Sequence, residues 1–260
     1  MRTTDPLVDR EFGVIRFATW NVREGRQISH PMEFEDSSMV ENVALLKEYQ
    51  VDIIALQEVD NPATTSRVLK IIEARTDLKH IASMRLSRSS FEGDESAGVA
   101  IASRFPFQYT HQELLPNPKL PITWNGGESI SHDKGLLTCV MNVNDIRICF
   151  ISIHVFPFHR FGRDAGDAEL TNVWQKVSTC TNAPGGPVVL AGDFNTQDRL
   201  LVSGVARGDM SSAFKGVATH NGKETDDILF SRHFEMLGDP QAVVNFSDHH
   251  LCIVSLRLNV

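Results

Sequence analysis

The sequence has no apolar run long enough to cross a bilayer, and its opening stretch, "MRTTDPLVDREFGVIRFATWN", carries no apolar core of signal-peptide length. The expected location is therefore the cytoplasm. Neither an amphipathic insertion nor a hydrophobic tail is visible, so no stable membrane association is expected. Cysteine is scarce. The four present, Cys139, Cys149, Cys180 and Cys252, lie far apart with no CxxC pair, which argues against a thiolate zinc site. Cys139 and Cys149 flank a turn at "NVND" and could face one another across a hairpin, although buried reduced thiols are the ordinary state in a cytosolic core. Also missing are a Gly/Ser linker, a low-complexity tract, an internal repeat and a long basic stripe. With a formal net charge of −8, the protein as a whole repels polyanions, which weighs against a processive or non-specific DNA nuclease.

What is there suits one large domain spanning residues 1–260, since 42% of the residues are hydrophobic and 22% charged. Apolar, β-branched segments recur: "VIRFATWN", "VDIIALQEV", "AGVAIASRF", "KGLLTCVMNV", "IRICFISIHVF", "PVVLAGDF", "DDILFS" and "HLCIVSLRL". Helical patterns lie between some of them, in "DSSMVENVALLKEYQ", "TTSRVLKIIEART" and "DAELTNVWQKVSTC". Strands outnumber helices, so the class is α/β or α+β. The segment from Phe105 to Asp133, with Pro106, Pro116, Pro118 and Pro121, reads as a long loop.

Polar residues sit at particular ends of the apolar runs. "FATWN" closes on Asn21, "DIIALQE" on Glu58, "FISIH" on His154 and "VVLAGD" on Asp193. Asp193 and Asn195 are two positions apart, so on an extended chain both point the same way, although an Asp/Asn turn closing a strand has the same letters. Gly192 suggests a place where backbone and ligand come close. In "DDILFS" and "SDHHLCIVSLRL" the order reverses, with Asp226, Asp248 and His249 preceding the apolar run. If all these groups share one site, the last two strands run opposite to the first four. That predicts mixed, largely antiparallel sheets, not the parallel sheet of a dinucleotide-binding fold.

Taken together and in order, "TWN", "LQEV", "GVAIASRFP", "SIHV", "GDFN", "DDILFS" and "FSDHH" resemble the endonuclease/exonuclease/phosphatase superfamily, from about Phe17 to Leu258. The resemblance implies an αββα sandwich, with two packed sheets flanked by helices, and a Mg²⁺- or Mn²⁺-dependent phosphoesterase site at one end of the sheets. Carried over by position, it implies that Glu58 is a metal ligand, with Asn21 and Asp248 in or near the metal shell. Asp193 and Asn195 would position the attacking water and the phosphate, and His154 would stabilise charge developing on the phosphoryl oxygens. His249 would contact the phosphate or act as base, its ring held by Asp226. Whether Asp193 or His249 is the base stays open. Asp227 is the alternative partner for His249, and His250 reads as a strand residue with no chemical role.

The residue types suit that chemistry independently. A phosphoester repels nucleophiles, so its hydrolysis needs neutralised phosphate oxygens and a water aligned opposite the leaving oxygen. Carboxylates and amides without cysteine are what Mg²⁺ prefers. "HVFPFHRFGRDAGD" adds a local basic cluster of His159, Arg160 and Arg163, with Arg160 and Arg163 the candidates for reading a substrate phosphate. The expected substrate is a nucleic-acid end, a nucleotide or another phosphodiester. A small-molecule or lipid-headgroup phosphatase is the alternative, and a binding module without catalysis is disfavoured because every expected catalytic group is present.

Overall fold

The structure is a computed structural model describing residues 13–259 apart from 31, 32, 35, 63, 90, 92–95, 125, 126 and 205–209; for 122–124 and 127–129 it describes the backbone alone. In chain order the elements are β1 (Val14–Asn21), α1 (Asp36–Glu48), β2 (Ile53–Asp60), α2 (Arg67–Arg75), β3 (His80–Arg88), β4 (Ser96–Ser103) and β5 (Phe107–Leu114). Next come β6 (Pro121–Trp124), β7 (Gly127–Ile130), β8 (Gly135–Val143), β9 (Ile146–His154), α3 (Thr171–Asn182) and β10 (Val188–Asp193). The chain ends with α4 (Arg199–Gly204), β11 (Met210–Ser212), β12 (Asp226–Ser231), β13 (Phe234–Val243) and β14 (Leu251–Leu258). Each apolar run singled out in the sequence forms a strand, because strands buried on both faces need apolar residues at every position.

The strands make two six-stranded sheets, ordered β13-β14-β1-β2-β4-β3 and β11-β12-β10-β9-β8-β5, with β6 and β7 as a separate hairpin. β1 lies parallel to β2 and β9 parallel to β10; β12 and β14 run antiparallel to their neighbours. Side-chain alternation divides the apolar residues into layers. Phe17, Ile53, Val99 and Val254 from one sheet meet Cys139, Phe150, Val189 and Ile228 from the other. The outer face of the first sheet packs Trp20, Ile54 and Leu56 against Met39, Val43 and Ile72 of α1 and α2. On the second sheet, Ile151, Leu190 and Leu229 pack against Val173, Trp174 and Val177 of α3. The result is the expected αββα sandwich, and among the described residues no helix is long and apolar enough to cross a membrane.

Several sequence expectations are corrected. The Pro-rich segment from Phe105 to Asp133 is not a loop throughout, since it contains β5, β6 and β7. β5 is an edge strand exposed along most of its length, so it has no apolar periodicity to reveal it, and Pro121 occupies the first position of β6, where no ladder donor is needed. Cys139 and Cys149 do not face one another. Cys139 pairs with Phe150 and Cys149 with Val140, a one-residue offset that sends the two thiols to opposite faces of the sheet. Both are free, and burial pushes each thiol up to about 12.

At Gly192 the close approach that the structure shows is to the neighbouring strand: a Cβ there would lie 2.0 Å from the Ile153 carbonyl oxygen. Its φ of 155° also belongs to glycine. The parallel β9–β10 pair, which delivers His154 and Asp193 to the same rim, closes only because this position lacks a side chain. Gly192→Ala should therefore destabilise the fold by about 3 kcal/mol or more, because the clash is with backbone. A urea unfolding midpoint unchanged from the parent protein would refute this.

Candidate active site

The two parallel strand pairs end at the same rim. β1 places Asn21 there, β2 Glu58, β9 His154 and β10 Asp193, while the antiparallel β12 and β14 bring Asp226 and His249 from their starts. Register fixes the neighbours: Asp193 pairs directly with His154 on one side and Asp226 on the other. Asp193 Oδ2 lies 3.3 Å from Asn21 Nδ2, 3.6 Å from His154 Nε2 and 3.9 Å from His249 Nε2. Its Oδ1 accepts the Asn195 N–H at 2.8 Å, and Asn195 in turn donates its side-chain amide to the Val155 carbonyl.

Glu58 reaches the rim through a bulge. Leu56 and Val59 both face the helix layer, so Glu58 is one residue too many for the ladder against β4, and its φ of 51° turns the side chain aside. Its Oε1 lies 3.9 Å from the same His154 Nε2 that approaches Asp193. Beneath these groups a polar bridge joins the sheets: Thr19 Oγ1 donates to Gln57 Oε1 at 3.2 Å, and Gln57 Nε2 to Ser152 Oγ at 3.4 Å.

The choice between adjacent acids is visible. Asp226 lies with Oδ2 2.9 Å from His249 Nδ1, whereas Asp227 points to the other face, held by Arg199 at 3.0 Å, the Ser212 hydroxyl at 2.6 Å and the Phe214 N–H at 3.0 Å. Asp248 sits beside His249 but is turned outward, with Arg23 Nε 3.8 Å from Oδ1 and His220 Nε2 3.5 Å from Oδ2. Arg163 pairs with Glu169 at 2.9 Å on the surface, while Arg160 is near enough to the rim to disfavour protonation of His154.

Burial and neighbours push the titratable groups apart. Desolvation, then Asp226, raises Asp193 to about 6. Burial works against a charged His249, but the Asp226 carboxylate, followed by Asp193 and Asp248, outweighs it and raises the ring to about 10. His154 moves well below its usual value, first through burial and then through Lys134, His249 and Arg160. His249 is thus a cation at neutral pH and His154 a neutral imidazole.

Lys134 is the group that sequence reasoning missed. It directly precedes β8, whose Gly135 pairs with His154, and its Nζ lies 2.9 Å from His154 Nε2. Burial lowers its pKa, while Glu58 and Asp193 favour the charged form. The signal available was a cation just before an apolar run, "DKGLL", the same placement that marked Asp226 and His249.

Two packed mixed sheets with acids, an amide and imidazoles at one rim define the class, an αββα sandwich with a polar site at the common end of its sheets. The chain belongs to the endonuclease/exonuclease/phosphatase family, whose family model, described as "Endonuclease/Exonuclease/phosphatase family", matches residues 18–249. Among solved structures it is similar to an endonuclease/exonuclease/phosphatase from Beutenbergia cavernae DSM 12333, with a TM-score of 0.72 and 19% identity over 95% of this chain and 72% of that one. The human Nocturnin catalytic domain gives a TM-score of 0.64 and 14% identity over 95% of each chain. Sphingomyelinase C from Streptomyces griseocarneus gives 0.60 and 15% over 93% of this chain and 99% of that one. At these identities the likeness is one of fold. A search of curated proteins returned no match.

The His249–Asp226 pair makes the stability of the metal-free protein pH-dependent. A ring raised to about 10 in the fold contributes stability that is complete below its unfolded value of 6.5 and is lost as pH rises through 10. Lys134, shifted the other way, offsets part of the loss towards the alkaline end. In EDTA, Tm should fall between about pH 7 and about pH 9, by up to roughly 1.4 kcal/mol of stability per pH unit, and Asp226→Asn should flatten the fall. Parallel Tm profiles for the two proteins would show that the pair is not the source.

Proposed function

We propose that the protein is a Mg²⁺- or Mn²⁺-dependent hydrolase that cleaves a phosphoester by in-line attack of water. The observation that carries this reading is the pairing of Asp193 and His249, two groups 3.9 Å apart that are both raised, Asp193 to about 6 and His249 further, to about 10. Pairs of titratable groups driven apart by their surroundings mark an acid and a base.

Asp193, ionised at neutral pH but more basic than an ordinary carboxylate, is suited to aligning and deprotonating the attacking water. His249 keeps its proton, held by Asp226, and is suited to meeting a phosphoryl oxygen through Nε2. This assigns the base to Asp193 and the electrostatic role to His249. His154 and Lys134 supply a neutral ring and an ammonium on the opposite side of Asp193. Asn195 fixes the Asp193 carboxylate through its main-chain N–H. Arg160 stands at the mouth, suited to steering an anion inwards, whereas Arg163 would first have to leave Glu169.

The donor set fits a hard divalent cation. Carboxylate and amide groups of Glu58, Asp193 and Asn21 come together around His154, whereas the two close-set groups Asp193–Asp226–His249 and His220–Asp248–His249 both include the ring that keeps its proton. Glu58 is half-buried at the bulge, with Oε1 3.9 Å from His154 Nε2. Glu58, Asn21 and Asp248 are the residues that would hold the ion, oxygen donors throughout with no thiolate near. Bound there, a divalent cation supplies Lewis-acid charge that neutralises phosphate oxygens.

The net charge of −8 favours a compact substrate, such as a nucleotide or a nucleic-acid end, over a long duplex. Asp193→Asn and His249→Ala should each lower kcat by at least about 10²-fold with the circular dichroism spectrum unchanged. EDTA should abolish activity and added Mg²⁺ or Mn²⁺ restore it. A panel of abasic and nicked DNA, short RNA, nucleotides, inositol phosphates and sphingomyelin would identify the substrate; full turnover in EDTA would remove the metal from the account.

A further inference from the structure

In-line displacement at phosphorus has two ends. Water enters on one side and the leaving oxygen departs on the other, and an alkoxide departs far more readily with a proton than without one. In the proposed mechanism Asp193 serves the entering side, and the departing side needs an acid. Register sets the order of the groups that could supply it. Asp226, Asp193, His154 and Gly135 are successive cross-strand partners on β12, β10, β9 and β8, strands about 4.8 Å apart. His249 joins the row at Asp226, and Lys134 directly precedes Gly135. The rim therefore runs His249, Asp193, His154, Lys134, with the base between two cations.

Three of the four other groups at this rim are unsuited to give that proton. His249 is bound through Nδ1 to Asp226 and stands 3.9 Å from Asp193, on the side of the base away from Lys134. His154 is a neutral ring, and a neutral imidazole is a very weak acid. The Arg160 guanidinium does not give up a proton in a protein. Lys134 is different. Its Nζ lies 2.9 Å from Nε2 and 3.2 Å from Nδ1 of His154, and the same Nε2 lies 3.6 Å from Asp193 Oδ2 and 3.9 Å from Glu58 Oε1. One nitrogen thus joins the ammonium to the base and to the candidate metal ligand. An ammonium has three N–H donors, whereas a neutral imidazole accepts at one nitrogen only. Among the described residues Nζ has no hydrogen-bond partner besides this ring, so donors remain for a substrate oxygen. Burial makes Lys134 a stronger acid than an exposed lysine, while Glu58 and Asp193 favour its charged form.

We propose that Lys134 is a catalytic residue, the acid that protonates the leaving oxygen, held in place by the His154 ring. The proposal rests on the phosphoesterase reading. As the water oxygen bonds to phosphorus, its proton passes to Asp193. As the P–O bond to the leaving group breaks, the departing oxygen keeps the electron pair and takes a proton from Lys134 Nζ, so the product leaves as an alcohol. The neutral amine then regains a proton from solvent and Asp193 releases one to it, which closes the cycle without any further reactant.

The test is the dependence on the leaving group, measured in Mg²⁺ or Mn²⁺. Two pairs of substrates match in ester class and differ in whether the departing oxygen needs a proton. For diesters the pair is thymidine 5′-(p-nitrophenyl phosphate) against thymidylyl-thymidine, and for monoesters p-nitrophenyl phosphate against adenosine 5′-monophosphate. In the pair that the protein hydrolyses, Lys134→Met should lower kcat on the alkyl ester by about 10²-fold or more and on its aryl partner by about tenfold or less, because p-nitrophenolate leaves unprotonated. Lys134→Arg, which keeps the charge but holds its proton, should show the same split. Turnover of the aryl ester reports that each variant is folded. Equal losses on the two esters, or recovery of the alkyl ester in Lys134→Arg, would overturn the proposal and leave Lys134 a fixed charge beside His154. A parent protein that hydrolyses aryl esters alone would overturn it too, since no leaving oxygen would then be receiving a proton. Hydrolysis of none of the four would count against the phosphoesterase reading itself, and against the acid with it.

Discussion

The buried carboxylate of Asp193 is the group around which the rest of the structure is arranged. Only 2% exposed, it sits where water cannot solvate it, and a charge in that position costs several kcal/mol unless partners replace the solvent. The partners come from both sheets: Asn21 from β1, His154 from β9 and His249 from the start of β14. No single sheet could supply them. The face-to-face packing and the common rim of the two parallel strand pairs are thus conditions for keeping this one acid ionisable in the interior.

Among the described residues, four of the ten non-glycine residues with positive φ lie at that rim. Arg23 and Glu24 follow β1, Glu58 lies near the end of β2 and Asn195 follows β10, and all four are non-glycine residues with positive φ. Such conformations cost free energy and persist where the surroundings over-determine them, most often at functional sites. Three of them have a visible consequence here. The turn at Arg23 lets its N–H meet Asn21 Oδ1, the bulge at Glu58 frees its side chain from the helix layer, and the turn at Asn195 brings its N–H onto Asp193. The bridge of Thr19, Gln57 and Ser152 lies just beneath, tying the two sheets together where the strain is concentrated.

What the sequence revealed followed from burial. The central strands are apolar on both faces, so a polar residue at their ends stood out, and the reversed order in β12 and β14 announced their direction. The edge strands β5 and β13 were silent because most of their side chains face solvent and resemble loop. Lys134 was overlooked for another reason: a cation before an apolar run was there to read, but it follows the Pro-rich stretch directly, and its partner His154 is set by the β8–β9 register, which no local pattern encodes. The same limit held for Cys139 and Cys149, where a one-residue offset decides the face. The Asn-Gly pair at 221–222 was a legible turn signal, but its position over His249 depends on a backbone bond from His250 to Thr219.

Register also explains why Asp226 and Asp227 could not be told apart by letters. Consecutive residues of a strand point to opposite faces, so two identical side chains enter two unrelated environments. Asp226 meets His249 at the rim, while Asp227 is enclosed by Arg199, Ser212 and the Phe214 N–H, tying β12 to β11 and α4. One acid raises the basicity of a ring and the other fastens an edge of the sheet. Because Asp227 has its own guanidinium, its charge is compensated locally and need not draw on the cations of the rim. On the proposed reading, those cations, in a protein whose net charge is −8, are then left to act on the anion that reaches the mouth, the electrostatic condition for admitting a compact phosphate while discouraging an extended polyanion.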